Sequence, residues 1–566
     1  MKKKKDSILP TNRVILGYKD VFGKSPEFNR IDILKKVSIT DVVVELAGLN
    51  YRLKGQKNKV IDTTFTTQKR ELFYFCGKNP ALHNKYARYI DFKADGREVF
   101  IFSRQACLFA LEEVIQSNLK VIDGFSMSQS FDSWEAILLY ILCVNDEVTK
   151  IEDNTPNEPI NFETLNPKLL PISELMLVSD PFYIVYRGWN LMIYLESNPE
   201  TANHITNYFF EKYSISYERF IFELLRMWMA NKHETEYFNF YYIVSENDPF
   251  RHIFDVLSEK YESDETQKLL NIRKNPFFKI DKKNYILTDI TNLLEKAYYQ
   301  FINDFIFDKL KQEERQLGRL FTMQDYKGIV GSFFEWYVGD KIKYSFTNSK
   351  NAIIRTFDQM IINNTGAEIE CGDIYIRHEN KVIFGEVKAG SLYDKEKYGG
   401  NIDAMYKNDR NRFFKNFGVD QLVNNIKNIK ANIQTIDPEF SKRKKIRIWP
   451  IIVFNEKAFQ TPFMSHLFNQ RFKELMDGFK CKHFHVYPLT LIHVSDLETM
   501  ECTLHKKPHL IWNLLTDNFR NPAKFIPPFY NTLDRNNIRA NYTRFEHKVK
   551  ILFDKFGGIK SKVITD

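Results

Sequence analysis

Between Cys371 and Gly390 the chain reads CGDIYIRHENKVIFGEVKAG. Two apolar β-type runs flank the polar turn His378-Glu379-Asn380-Lys381, a pattern that leaves this segment little choice but a hairpin. A turn centred between Glu379 and Asn380 sets Asp373 opposite Glu386, whether the loop is two or four residues long. Cross-strand partners carry Cβ atoms about 4.5–5.5 Å apart, and like charges there repel. Lys388 follows Glu386 by two positions, so strand period places it on the same face. Ile374, Ile376, Val382, Ile383, Phe384 and Val387 surround these groups, which predicts partial burial. Partly buried neighbouring carboxylates raise each other's pKa unless a cation lies between them. A divalent ion removes the conflict. Two carboxylates suit hard Mg²⁺, with Mn²⁺ as a substitute, and Mg²⁺ keeps waters for phosphate oxygens. Lys388 can then orient or deprotonate a water, or stabilise negative charge developing on phosphorus. Asp…Glu-x-Lys is thus a coherent constellation for phosphodiester hydrolysis. The competing view is an ordinary exposed hairpin; the shared face, the spacing and the apolar surroundings weigh against it.

The hairpin is a small part of a chain of 566 residues, too long for one core, so two or three domains are expected. Its longest clean apolar run, Ala136 to Val144, falls far short of the roughly 20 residues of a membrane span and reads as a buried helix segment. The basic start MKKKKD precedes no hydrophobic segment, so no secretory signal is expected, and residues 1–30 read as a flexible basic tail. The six cysteines are scattered without a CxxC pair, which fits a reducing cytoplasm. Cys481, His483, His485, Cys502, His505 and His509 cluster in sequence, but their spacing matches no familiar zinc site.

Charge is localised. Residues 371–450 hold 16 Lys and Arg against 10 Asp and Glu, a net +6 of the chain's +9. A basic excess around a carboxylate pair suggests a polyanionic substrate. Within it, Lys395, Lys397, Lys407, Arg410, Arg412 and Lys415 interleave with Tyr393, Tyr398, Tyr406, Phe413 and Phe414. Cations with aromatics nearby suit nucleic-acid contact, and a surface loop is the alternative.

Apolar spacing predicts helices over most of residues 31–315, including one run from Thr288 to Leu310. Near residue 320 the pattern changes. A helix over 326–338 leads into short β-type runs, then an amphipathic helix over 419–434, then a strand over 446–454 whose pairing should begin only after Pro450. No G-x4-G-K-[ST] or G-x-G-x-x-G loop is present, so any ATP chemistry would come from a partner such as an ATPase or sensor subunit.

Gly372-Asp373 followed by Glu386-Val387-Lys388 resembles the core motif of the PD-(D/E)XK, or restriction-endonuclease-like, nuclease superfamily, with glycine where the name has proline. The resemblance covers residues 320–455. It implies a helix, a three-stranded antiparallel run, a second helix and a further strand. It also implies Mg²⁺ held by Asp373, Glu386, the Val387 backbone carbonyl and Glu335 on the first helix. Gln421, near the start of the second helix, is the match for a glutamine that several branches place close to the metal. The fold expected is therefore multidomain. An all-α region over 31–315 would recognise or regulate, an α/β restriction-endonuclease-like domain of mixed sheet flanked by helices would span 320–500, and a mostly helical extension would fill 501–566. The expected function is a metal-dependent DNA endonuclease, DNA being preferred over RNA, with a protein partner or a homo-oligomer and no membrane. By analogy, such fusions suggest defence against foreign DNA in prokaryotes. Two alternatives differ in class. Arg226 and His233 form an R-x6-H pair that resembles metal-independent HEPN-type ribonucleases, and a non-catalytic nucleic-acid-binding assembly protein could retain the same core.

Overall fold

The computed structural model describes residues 13–53, 65–77, 79–92, 98–117, 131–148, 180–230, 240–260, 269–364, 367–392, 410–440, 445–461, 464–479, 482–520 and 526–557. These fall into two compact units. One spans 321–543; the other gathers the described residues before 321 together with those from 544 onward.

In the first of these units, α1 (Met323–Phe346) starts at Thr322, whose hydroxyl accepts from Asp325 N while Asp325 returns a bond to Thr322 N. That reciprocal cap explains a start three residues ahead of the expected helix. A six-stranded mixed sheet follows, built on β1 (Ala352–Thr356), β4 (Ile374–His378), β5 (Lys381–Lys388) and β6 (Ile446–Phe454). β2 (Ile361–Asn364) and β3 (Ala367–Glu370) form a separate ribbon between β1 and β4. Two short strands, β7 (Phe484–Val486) and β8 (Thr490–His493), both pair with β6 on its far side. β1–β4 and β4–β5 are antiparallel, and β5–β6 is parallel. β5 is therefore central, which accounts for its near-continuous apolar run.

Between β5 and β6 come α2 (Arg410–Asn416) and α3 (Val419–Ile436). α3 buries Val419, Leu422, Val423, Ile426, Ile429, Ile433 and Ile436 in one cluster with Ile448, Ile452, Phe454 and Phe459. Each such side chain contributes about 1.5–3 kcal/mol through removal from water. At the far end of α3, Asp437 accepts from Tyr375 and Arg377 of β4, which ties the helix to the sheet. Past β8, α4 (Val494–Lys506) crosses the expected boundary at 500. It packs on α1 through Tyr337 Oη to Glu498, 2.7 Å, and Lys341 to Glu501, 3.1 Å.

Several expectations need correction. Pairing does not wait until after Pro450: β5 registers Phe384 against Pro450 within an unbroken ladder. Ile446 N donates to His483 O and Ile448 O accepts from Tyr487 N, so even-numbered residues of β6 turn their backbone groups away from β5. The missing N–H of Pro450 thus points into the gap between the β7 pairing, which ends at Ile448, and the β8 pairing, which begins at Ile451. No ladder bond is lost. The extension over 501–566 is also divided, because Thr543–Phe556 is a helix that belongs, from Arg544, to the other unit.

That other unit is largely helical but not all-α. Tyr241–Ile243, Phe277–Lys279 and Asn284–Leu287 form a three-stranded antiparallel sheet, and Arg13–Ile15 pairs in parallel with Glu98–Phe100. Strands of three or four residues are too short to display a period of two, so they read as apolar helix positions. The Arg13–Ile15 pairing also means that the tail does not extend to residue 30; Leu16 N donates to Phe100 O, and Asn145 bonds both Leu16 O and Ile101 O. Thr288–Leu310 is not a single α-helix either. Asp289 caps Ile290–Glu295, Tyr299–Phe301 follows, and Ile302–Leu310 is π-helical. The Ala136–Val144 run lies in the helix Phe131–Val148 as expected. Among the described residues, no helix is long and apolar enough to cross a membrane.

Candidate metal centre

The β4–β5 ladder runs from His378–Lys381 to Ile374–Gly385, the register expected from the turn. Glu379 takes φ 54, the left-handed conformation that a two-residue hairpin loop favours. The ladder stops one pair short of Asp373 and Glu386. Asp373 N bonds Gly385 O, so the chain slips by a residue there, and the two carboxylates are not a direct cross-strand pair. The cause is Gly372. Its φ of 114 is open to glycine and closed to proline, whose ring fixes φ near −65°, so this position requires glycine for a conformational reason. The turn instead lets Asp373 Oδ2 accept from Val387 N at 2.6 Å, hooking the aspartate over the end of β5.

Glu386, with no exposed surface, and Asp373, 4% exposed, are joined by a carboxylate not anticipated from sequence. Glu370, at the end of β3, brings an oxygen to the other two, and the three ligand atoms lie within 4.8 Å of one another. Lys388 Nζ lies 2.9 Å from Glu386 Oε2 and 3.7 Å from Asp373 Oδ2. It also donates to Gln421 Oε1 at 2.9 Å. Asn425 Nδ2 donates to Glu386 Oε1 at 2.9 Å. Gly418, with φ 84, caps α3 directly beside the lysine; a Cβ there would stand 2.6 Å from Lys388 Cε.

Charge follows from this crowding. Burial, then the charge of Glu386, pushes Asp373 up to about 6. Burial raises Glu386 as well, against the opposing pull of Lys388. The hydrogen bond from Glu370 to Asp373, then burial, raises Glu370. For Lys388, burial works against the ammonium, but Glu386 and Asp373 outweigh it and the pKa rises. Three carboxylates share one lysine. That excess of negative charge, carried on hard oxygen donors, fits a divalent cation of the Mg²⁺ type. The backbone of Val387 turns its N–H to Asp373, and in a strand its carbonyl faces the same side.

Glu335 stands on the exposed side of α1, outside the group of three. Partial desolvation, then the charge of Glu370, raises its pKa, while Lys388 opposes the shift. Of the basic residues singled out by sequence, Lys395, Lys397 and Lys407 lie outside the described residues, as do the side chains of Arg410 and Arg412. Lys415 is exposed on α2. Phe413 and Phe414 are not contact aromatics: both are buried, packed against Phe417, Phe459 and Phe468. A short helix with one apolar face puts these two rings inward and leaves Lys415 outside. Arg226 is engaged in the helical unit by Glu223, Nε to Oε2 2.7 Å, and His233 lies outside the described residues. Among the described residues, no group of cysteines and histidines forms a metal site.

Glu370 and Asn425 are the two residues that sequence reading passed over. Asn425 had a signal, since it follows Gln421 by four on the same helical face. Glu370 had only its alternation with Glu368 in the run AEIE. No family model, curated protein or solved structure matches the chain.

Proposed function

We propose that the protein is a metal-dependent nuclease that hydrolyses phosphodiester bonds in DNA, using a restriction-endonuclease-like core over residues 320–500. The observation that carries the reading is the convergence of Asp373, Glu386 and Glu370 with Lys388 at the end of a central strand. The order α1, an antiparallel run β1, β4 and β5 with β4 in the middle, α3 and a β6 parallel to β5 supports it. Asp373, Glu386, Glu370 and the Val387 carbonyl would hold Mg²⁺, with Glu335 at the margin. When bound, such an ion polarises a phosphate oxygen and lowers the pKa of a water.

The chain's own residues divide the remaining tasks. Asp373 is fixed by Val387 N, so its carboxylate is pre-set at little further entropic cost. Lys388, protonated and held by Gln421, presents a localised positive charge where negative charge develops on phosphorus. The exposed Lys415 and the basic segment before it would draw the nucleic-acid backbone by its phosphates. A place in prokaryotic defence, with an activating partner, remains part of the same proposal by analogy.

The test uses purified full-length protein with supercoiled plasmid, linear DNA and RNA, each with Mg²⁺, with Mn²⁺ and with EDTA. Plasmid cutting in Mg²⁺ that EDTA abolishes is the expected result. Cleavage of RNA that persists in EDTA would move the activity to the helical unit. No cleavage in either metal would make the core a binding module.

A further inference from the structure

The proposed reading makes Glu386 a metal ligand, and the next step rests on it. α3 presents a single stripe to the Glu386-Val387-Lys388 strip: Gly418, Gln421 and Asn425, spaced i, i+3 and i+7. Each member meets a different atom. Gly418 leaves room for the lysine stem, Gln421 Oε1 takes the ammonium, and Asn425 Nδ2 takes the carboxylate. The two oxygens of Glu386 are thereby told apart, with Oε1 bonded to Asn425 and Oε2 to Lys388.

A glutamate's terminal torsion is soft, so a carboxylate without a partner swings about it. Glu386 is fully buried, and losing its only neutral side-chain donor among the described contacts would leave Oε1 both rotationally loose and desolvated. The chemistry of the donor matters too. An amide donates without adding charge; a lysine at this position would compete with a cation, and an aspartate would repel Glu386. Ligating carboxylates generally depend on such hydrogen-bonding partners behind them.

We infer that Asn425 is a positioning residue that holds Glu386 in its ligating orientation, while Gln421 on the same stripe serves Lys388 and not the metal. The two amides, one helical turn apart, therefore separate cation affinity from the chemical step.

The experiment measures Mn²⁺ binding by calorimetric titration and by the Mn²⁺-induced rise in melting temperature, on the full chain. Asn425→Leu keeps the branched shape and removes the donor, so a packing role survives it and a positioning role does not. Its Mn²⁺ dissociation constant should rise about 10- to 100-fold, with a smaller metal-induced rise in melting temperature. Gln421→Met should bind Mn²⁺ as the wild type does while its single-turnover cleavage slows. Asn425→Ala, read the same way, serves if the leucine variant melts early without metal. Wild-type Mn²⁺ affinity in a folded Asn425 variant overturns the inference, as does an equal loss of affinity in Gln421→Met. Absence of Mn²⁺ binding by the wild type overturns the metal reading itself, which is a separate outcome.

Discussion

Two buried charge clusters, one in each unit, show how differently a fold can treat an aspartate. In the helical unit Asp289 accepts from Arg104 Nε at 2.8 Å and Nη2 at 2.9 Å, from Asn50 Nδ2 at 3.0 Å and from Asn292 N at 2.9 Å. One negative charge meets one positive charge, and donors surround its two oxygens. In the α/β unit Asp373 has a single backbone donor, a lysine at 3.7 Å and two further carboxylates within reach. The first cluster is electrically complete and the second is not. Buried ion pairs that are complete serve architecture, whereas a buried excess of one sign is relieved by taking up protons or by a counter-ion.

The difference can be broken most severely at the incomplete cluster. Asp373→Ala and Glu386→Ala should each abolish cleavage and Mn²⁺ binding, and Glu370→Ala should weaken Mn²⁺ binding more than Glu335→Ala. Calorimetric titration decides it, and unchanged Mn²⁺ affinity in the first two variants would sink the metal site. Lys388→Ala comes next. It should bind metal and lose at least about 10²-fold in single-turnover rate, the lower range for acid–base or charge-stabilising groups. Lys388→Arg should not restore the rate, because a guanidinium is bulkier than the ammonium and cannot give up its proton near neutral pH. Wild-type plasmid cutting by Lys388→Ala beside a dead Asp373→Ala would make the lysine structural.

At the complete cluster the loss should be of stability. Arg104→Ala strands a buried carboxylate and should cost about 3–5 kcal/mol in urea unfolding, with no rescue by Mn²⁺. A variant as stable as the wild type would show that Asp289 is satisfied without the arginine.

The smallest effect concerns Asp496 on α4, which is buried; burial, with Glu498 and Asp534 adding to it, pushes the carboxyl up to about 8. It still accepts from His493 N at 3.0 Å. A folded pKa above the unfolded one means that the folded chain holds a proton the unfolded chain releases. Stability from this group is therefore present at acid pH and is lost as pH rises toward 8. Asp496→Asn keeps the acceptor without the charge, so its melting temperature should gain on the wild type by a few degrees between pH 5 and pH 8. A constant difference between the two across that range would contradict the assignment.

Much of the α/β unit was legible because its signals are local. Strand period and a two-residue turn set the β4–β5 register, and the stripe from Val419 to Ile433 marked α3. Phe413 and Phe414 misled because aromatic residues beside arginines look alike in a nucleic-acid surface and in a helix with one buried face. The short strands of the helical unit were hidden for want of length.

The chain's own order of residues determined the hairpin, the amphipathic helix and the presence of Asp373, Glu386 and Lys388 at one strand end, since each depends on neighbours a few positions away. Only the tertiary structure decided the rest. Glu370 joins the site because Gly372 turns the chain, Asn425 reaches Glu386 across 39 positions, and Pro450 is tolerated because two strands leave a gap beside it. Such contacts depend on where distant segments come to lie, and periodicity carries no record of that.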